Sequence, residues 1–303
     1  MRSLRNSPTM SQTLPIVHQT PFVNQPETSN QPRIFSHPRQ DNGPVFAVPP
    51  GHADPVQERA HRKRQLAAGL RLLARFGVEP GLAGHLSARD PEQTDWFWVN
   101  PVGVPFGHIR ASDLLLVDSA GQIVEGKGPV NLSGIPYHHA IQRSRGEVVG
   151  IVHAHSLHAS TWTAFGEVIE PIIADLGAFH DDQVLFTPRR DNAPSPAADR
   201  PADTPGNRDT VAAQFAEELG QRNILLWRNH GHWTVGQTVE AAVWRFIAFE
   251  RAAQIYLAAR AASHPRIDAP VWNQDPQARE AWAYLNFLPY WDQIVAEEPD
   301  LLD

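Results

Sequence analysis

The chain has 303 residues, enough for one large α/β domain or two small ones. It contains no cysteine, which excludes disulfides, thiolate metal sites and iron–sulfur clusters. A formal net charge of −7 with no basic stripe argues against nucleic acid. With no apolar run of membrane-spanning length and no secretory core at the N-terminus, the expectation is a soluble, cytoplasmic protein acting on a small molecule.

Residues 1–50 are rich in Pro, Asn, Gln, Ser and Thr and lack sustained apolar periodicity. Such a segment buries too little surface to offset its ordering entropy and is expected to be a disordered tail. The folded domain is read over 51–262. Its first helix starts at Asp54-Pro55, a capping acid before proline, continues through Leu66, Leu70 and Leu73 at helical spacing, and stops near Gly77. GLAGHLSARD (81–90) reads as a glycine-flanked turn and Trp96 to Val99 as a strand. LLLVDSAGQIVEG reads as a hairpin about residues 118–121.

A short helix from Pro136 to Arg145 leads into a strand, VVGIVHAH, that ends in His153 and His155. A helix over Ala159–Phe165 and a strand over Gln183–Phe186 follow. The Pro/Asp/Ala/Arg stretch 188–209 is expected to be a long flexible loop. Helix resumes from Thr210, and Ile224 to Trp227 is a strand. Thr238 caps a long helix from Val239 to about Ala262, with Glu240 in its first turn. Residues 263–303 form an extension carrying Trp272, Trp282, Tyr284, Phe287, Tyr290 and Trp291, expected to pack on the body or on a sister subunit.

The His153/His155 pair is the sharpest chemical signal. Side chains at i and i+2 of a strand share a face, so both imidazoles converge on one point. His230, in the glycine-containing loop after the strand at Ile224, supplies a third nitrogen. Three such ligands define a facial site for a divalent metal with positions left open for substrate. Zinc comes first, with iron(II) and manganese as alternatives, because imidazole suits all three.

The order of GLAGHLSARD, VNPVGVPFG, SDLLLVDSAGQIVEG, IPYHHAIQRSRGEVVGIVHAHS and RNHGHWTVGQTVEAAVWRFIAFERAAQ resembles the class II aldolase/adducin superfamily. The resemblance spans roughly residues 55–262. It implies a three-layer α/β/α domain around a central, mostly antiparallel sheet. It also implies metal ligation by His153, His155 and His230, and a homotetramer with sites at subunit boundaries. Three positions depart from the family pattern. The aldolase glutamate, two residues before the proline of IPYHHAI, is Gly134. The phosphate-binding serine pair is Leu132 and Ser133, so only Ser133 is kept as a substrate-binding candidate. An asparagine of the first glycine loop is replaced by His85. Sugar-phosphate binding and the standard aldol mechanism are both put in doubt.

Three neutral imidazoles leave the ion its full charge, enough to polarise a carbonyl and stabilise an enolate. That suits a metal-dependent lyase acting on a small hydroxy- or oxo-acid by aldol cleavage or decarboxylation. A non-haem Fe(II) oxygenase that oxidatively decarboxylates an aryl 2-oxo acid is the second reading; a small branch resembling this superfamily performs such chemistry. An adducin-like interaction domain without chemistry is the third.

With no glutamate at 134, His138 and His139 are the nearest candidates for a general base, and Tyr137 for a hydrogen-bond donor. His138 also suits a supporting role, His139 an exposed one, and Tyr137 packing. His85, Ser87 and Arg89 are candidates for anion binding; the plainer reading makes Arg89–Asp90 a surface ion pair. His232 either faces the metal or bonds backbone, and Asp181 and Asp182 read as a solvated loop start.

Overall fold

The computed structural model describes residues 39–40, 43–44, 51–79, 81–188, 208–262 and 275–303. The chain divides at Val45 into two units. In the first, Arg39–Gln40 (β1) and Gly43–Pro44 (β2) pair antiparallel. Two-residue strands leave no periodicity in the sequence, so composition alone read this stretch as structureless. The rest of the expected 1–50 tail lies outside the described residues.

The second unit is built on an eight-stranded sheet. Its strands are β3 (His85–Arg89), β4 (Phe97–Val99), β5 (Leu115–Val117), β6 (Ile123–Glu125), β7 (Gly150–Ala154), β8 (Gln183–Phe186), β9 (Ile224–Trp227) and β10 (Gly231–Gly236). They lie in the order β6-β5-β4-β3-β7-β10-β9-β8, and every neighbouring pair is antiparallel except β8/β9. The architecture is the expected α/β domain around a mostly antiparallel sheet. The segment read as a turn, GLAGHLSARD, instead contributes β3 near the middle of that sheet.

One face of the sheet packs on α1 (Pro55–Arg75) and α5 (Val239–Ala261). Leu66, Leu70 and Leu73 meet Val243 and Phe246 there, together with Leu86, Val152 and Ala154 from β3 and β7. Asp54 and Thr238 cap these two helices through their side chains, as their positions before Pro55 and Val239 predict. The other face packs on α2 (Ile135–Ser144) and α4 (Arg208–Leu219), where Ile141, Phe215 and Leu219 meet Ile151, Leu225 and Val235. A short helix, α3 (Leu157–Thr163), follows the His153 strand. Helix α4 already includes Arg208 and Asp209, the last two residues of the expected 188–209 loop; residues 189–207 lie outside the described ones.

In the C-terminal extension, Asp275 caps α6 (Pro276–Glu297), which packs on α1 and α5. Phe287, Ile294 and Leu301 are completely buried in the core that holds the α1 leucines. Glu280 fastens the start of α6. It accepts from the backbone N–H of Gln237 at 2.8 Å and Thr238 at 3.2 Å, and pairs with buried Arg245 at 2.7 Å. Trp272 lies outside the described residues. Among the described residues, no helix is long and apolar enough to cross a membrane.

Candidate metal centre

Strand β7 places His153 on the sheet face that looks toward α2, and the chain carries His155 just past the strand end. The β9–β10 connection brings the third imidazole. Trp227 pairs with Gly231, leaving a three-residue turn in which Asn229 adopts φ +60°, a left-handed conformation that asparagine tolerates. The backbone N–H of His230 donates to the Trp227 carbonyl at 3.0 Å, closing the turn. One ligating nitrogen from each of His153, His155 and His230 then lies within 4.8 Å of the others.

The His153 ring is fixed on both sides. Its Nδ1–H donates to the His232 carbonyl at 2.9 Å, which leaves Nε2 as the free lone pair. Trp233, its register partner on β10, stacks on it at 4.3 Å and 11°. Burial holds the His153 imidazole well below its ordinary pKa, reinforced by the neighbouring histidines, and partial burial lowers that of His155. Both rings therefore stay neutral near pH 7, the form a metal ion requires. This donor set fits a divalent cation held by three imidazoles.

The three histidines open onto a cavity of about 370 Å³, within the range of small-ligand sites. Among the described residues its walls include His85, Asn131, Ser133, Gly134, Tyr137, Trp227, Arg228, Asn229 and Trp233, and no aspartate or glutamate. Arg228 is the one lysine or arginine among the described lining residues. Sequence reasoning passed over Arg228 and Asn131; the signal for Arg228 was its place between a strand-ending Trp227 and the Asn229-His230-Gly231 turn.

The remaining site expectations divide. His85, Ser133 and Tyr137 line the cavity. Ser133 donates from its hydroxyl to Asn131 Oδ1 at 2.6 Å, and Tyr137 packs edge-on against Phe215 and Trp227. His138 and Ser87 sit behind His85, completely buried. Ser87 Oγ lies 2.6 Å from His138 Nδ1, and His138 Nε2 lies 2.6 Å from His85 Nδ1. Burial drives His138 well below the ordinary histidine range and His85 to about 3, in each case with repulsion from other histidines added.

His139 does not reach the cavity. Its Nε2 bonds the Asp118 carbonyl at 2.9 Å and its ring packs on Phe97, because the β5–β6 hairpin covers that side of α2. It is buried, so neither a catalytic nor an exposed place suits it. Arg89 is also elsewhere: its guanidinium donates to the carbonyls of Val148, Thr94, Gln142 and Arg145 at 2.6–2.9 Å. That geometry corrects both the anion site and the surface pair with Asp90. His232 lies on the opposite face of β10 from Trp233, stacked on Phe246 at 3.9 Å, away from the three-histidine cluster. Asp182 is buried and accepts from Asn223, so it is no solvated loop residue.

A mostly antiparallel α/β sheet with a three-histidine cluster at its strand ends defines a class of domain. Residues 64–257 match the model of the class II aldolase and adducin N-terminal domain family, and the chain belongs to that family. It is 30% identical over 262 residues to the decarboxylase NovR of Streptomyces niveus, covering 84% of this chain and 92% of that protein. It is equally 30% identical to 4-hydroxy-3-prenylphenylpyruvate oxygenase/4-hydroxy-3-prenylbenzoate synthase of Streptomyces roseochromogenus, over 84% of this chain and 90% of the other. Among solved structures, L-fuculose 1-phosphate aldolase from Glaciozyma antarctica superposes with a TM-score of 0.70 at 31% identity, covering 84% of this chain and 96% of that one. The relatives thus carry the names of a decarboxylase, an oxygenase and an aldolase.

Proposed function

We propose that this protein is a metal-dependent carbon–carbon lyase that decarboxylates or cleaves a small hydroxy- or oxo-acid at the His153–His155–His230 centre. The observation that carries this reading is the cavity wall: three converging imidazoles and Arg228, with no carboxylate among the described lining residues. Such a lining attracts an anion. Its described residues also offer no carboxylate base, which weights the reading toward decarboxylation over aldol cleavage: loss of CO₂ from a bound β-keto acid requires no proton abstraction and leaves the electron pair of the broken bond in an enolate.

A bound divalent ion would supply a Lewis acid that draws electron density from a carbonyl or carboxylate oxygen of the substrate. The chain's own residues do the rest. Arg228 pairs with the substrate carboxylate, in two parallel bonds where the geometry permits. Trp233 and Trp227 give the planar part of the substrate an apolar wall, and Tyr137 closes it from α2. Zinc is the proposed ion, ahead of iron(II) and manganese. We extend the proposal to a homotetramer with the site near a subunit boundary. Leu82 and Leu132, 69% and 60% exposed, adjoin lining residues Ala83, Asn131 and Ser133 at the rim and would be covered there.

The second reading is the Fe(II) oxygenase acting on an aryl 2-oxo acid, favoured by the aromatic walls of the cavity and by the likeness to a protein named as an oxygenase. The adducin-like alternative needs no metal, and the convergence of three ligating nitrogens speaks against it.

Elemental analysis of the chain purified anaerobically without an affinity tag, beside His153→Ala, is the test. About one ion per chain, lost in the variant, is expected. A panel of β-keto, aromatic hydroxy and aryl 2-oxo acids is then offered to the loaded protein with CO₂ release and dioxygen uptake measured together. Release without uptake supports the lyase; matched uptake moves the assignment to the oxygenase. No metal after reloading with each ion overturns both.

A further inference from the structure

His85 and Gly134, two separate departures in sequence, are one feature in space. His85 lies directly across from His153 in the β3–β7 register, and Gly134 is the N-cap of α2 above them. A Cβ placed on Gly134 would come within 2.4 Å of His85 Nε2 and 2.6 Å of Cδ2 and Cε1, distances at which something must move. The His85 ring is confined on the sides away from the cavity. It is enclosed by the rings of His138, His153 and Trp233, with centroids 4.8, 5.1 and 5.1 Å away. A side chain at 134 and the His85 ring as placed would occupy the same space.

The hydrogen bonds behind His85 also fix where its proton sits. Ser87 is completely buried, and His138 Nδ1 is the acceptor within reach of its hydroxyl. If that nitrogen carried the hydrogen, the Ser87 O–H would be buried with nothing to donate to and would carry its full desolvation penalty. Ser87 therefore donates to His138 Nδ1. The proton of His138 is then on Nε2 and is donated to His85 Nδ1. His85 is left with its own N–H at Nε2, the ring edge that meets Gly134 at the cavity wall.

We propose that His85 is the group that contacts substrate on this wall of the cavity, donating from Nε2 to an oxygen of the bound acid, and that Gly134 is glycine to admit it. The identity of that oxygen rests on the acid-substrate reading above; the exclusion at 134 and the fixed tautomer do not. The consequence is a change of chemistry at the wall. A glutamate there accepts protons, whereas a neutral N–H donor selects substrates that present a carboxylate or carbonyl oxygen and disfavours those presenting an ammonium.

Three measurements on the full-length chain test this. Gly134→Ala is expected to lower the thermal midpoint of the wild-type background by about 3–10 °C, as overpacking does, and to be nearly neutral in His85→Ala. Equal shifts in both backgrounds would overturn the exchange. Long-range ¹⁵N–¹H spectra of histidine-labelled protein are expected to show His85 protonated at Nε2; protonation at Nδ1 would overturn the relay. Oxalate is the probe of the donor, titrated into zinc-loaded protein. His85→Phe is expected to weaken it about 10- to 100-fold at unchanged metal content, and His85→Gln, which keeps an N–H, to recover part of the loss. Unchanged oxalate affinity in a fully loaded His85→Phe protein defeats this proposal. Absent metal in the wild type defeats instead the lyase reading, and elemental analysis tells the two apart.

Discussion

The two ends of β3 share a strand, a sheet face and a buried setting, yet they serve opposite purposes. At one end, His85 and Ser87 form a short chain through His138, and His85 lines the cavity of the three-histidine cluster. At the other, Arg89 gives its guanidinium to four backbone carbonyls. Next to it, Asp90 receives Arg59 at 2.7 and 2.9 Å, the backbone of Glu92 and Gln93, and the Trp98 indole N–H. The Arg89 end ties α2, the loop before β7 and the turn before β4 to the sheet. What separates a structural polar residue from a chemical one here is neither type nor depth. It is whether its bonding capacity is met inside the protein.

Arg89→Met breaks the contrast most severely. It removes a charged donor from four buried carbonyls and should cost about 3–5 kcal/mol of stability, measured by urea unfolding. Metal content of the folded fraction should stay at the wild-type level. Loss of metal at intact stability would mean that Arg89 serves the cavity after all.

That distinction was legible in the sequence only in part. The three-histidine cluster was, because an apolar strand ending in HxH fixes two imidazoles on one side by its period of two, and the Asn229-His230-Gly231 turn needs only a hairpin to deliver the third. β3 was not. Its residues facing α2, namely His85, Ser87 and Arg89, are all polar, while Leu86 and Ala88 alone mark its apolar side. Flanked by glycines, that pattern reads as a turn. The place of His139 was hidden for a related reason: the hairpin that buries it is distant in sequence. The exchange between His85 and Gly134 needed coordinates, since each residue alone reads as a loss. Arg228 had a faint signal in its neighbours, but its place at the cavity follows from the β9–β10 turn.

Asp90→Asn comes next in size. Arg59 and Trp98 lose a charged acceptor, a penalty of about 1–3 kcal/mol. The variant also changes the acid response. Burial opposes ionisation of Asp90, but the bonds from Arg59, the backbone N–H groups and Trp98 outweigh it and bring the carboxyl to about 2. Its folded pKa lies below the unfolded value, so the stabilisation is complete above about pH 4 and is lost as pH falls from there through 2. Wild-type stability should fall across that window more steeply than that of Asp90→Asn. Parallel curves would show that the carboxylate is not held by these bonds.

Ser87→Ala is the smallest change and the sharpest test of the two-ended strand. Ser87 sits between the ends and makes a single side-chain bond, so its loss should cost only about 1 kcal/mol. Metal content should be unchanged, because no ligand touches it. What should change is the order imposed on the histidines. Without the hydroxyl as donor, His138 is free to carry its proton on either nitrogen, and His85 no longer has Nε2–H assured. The expected signature is a mixed His85 tautomer in ¹⁵N spectra and a weaker oxalate affinity, intermediate between wild type and His85→Phe. If the tautomer and affinity stay those of the wild type while stability drops by the predicted amount, Ser87 belongs with Arg89 as a structural residue, and the chemical end of β3 shrinks to His85 alone.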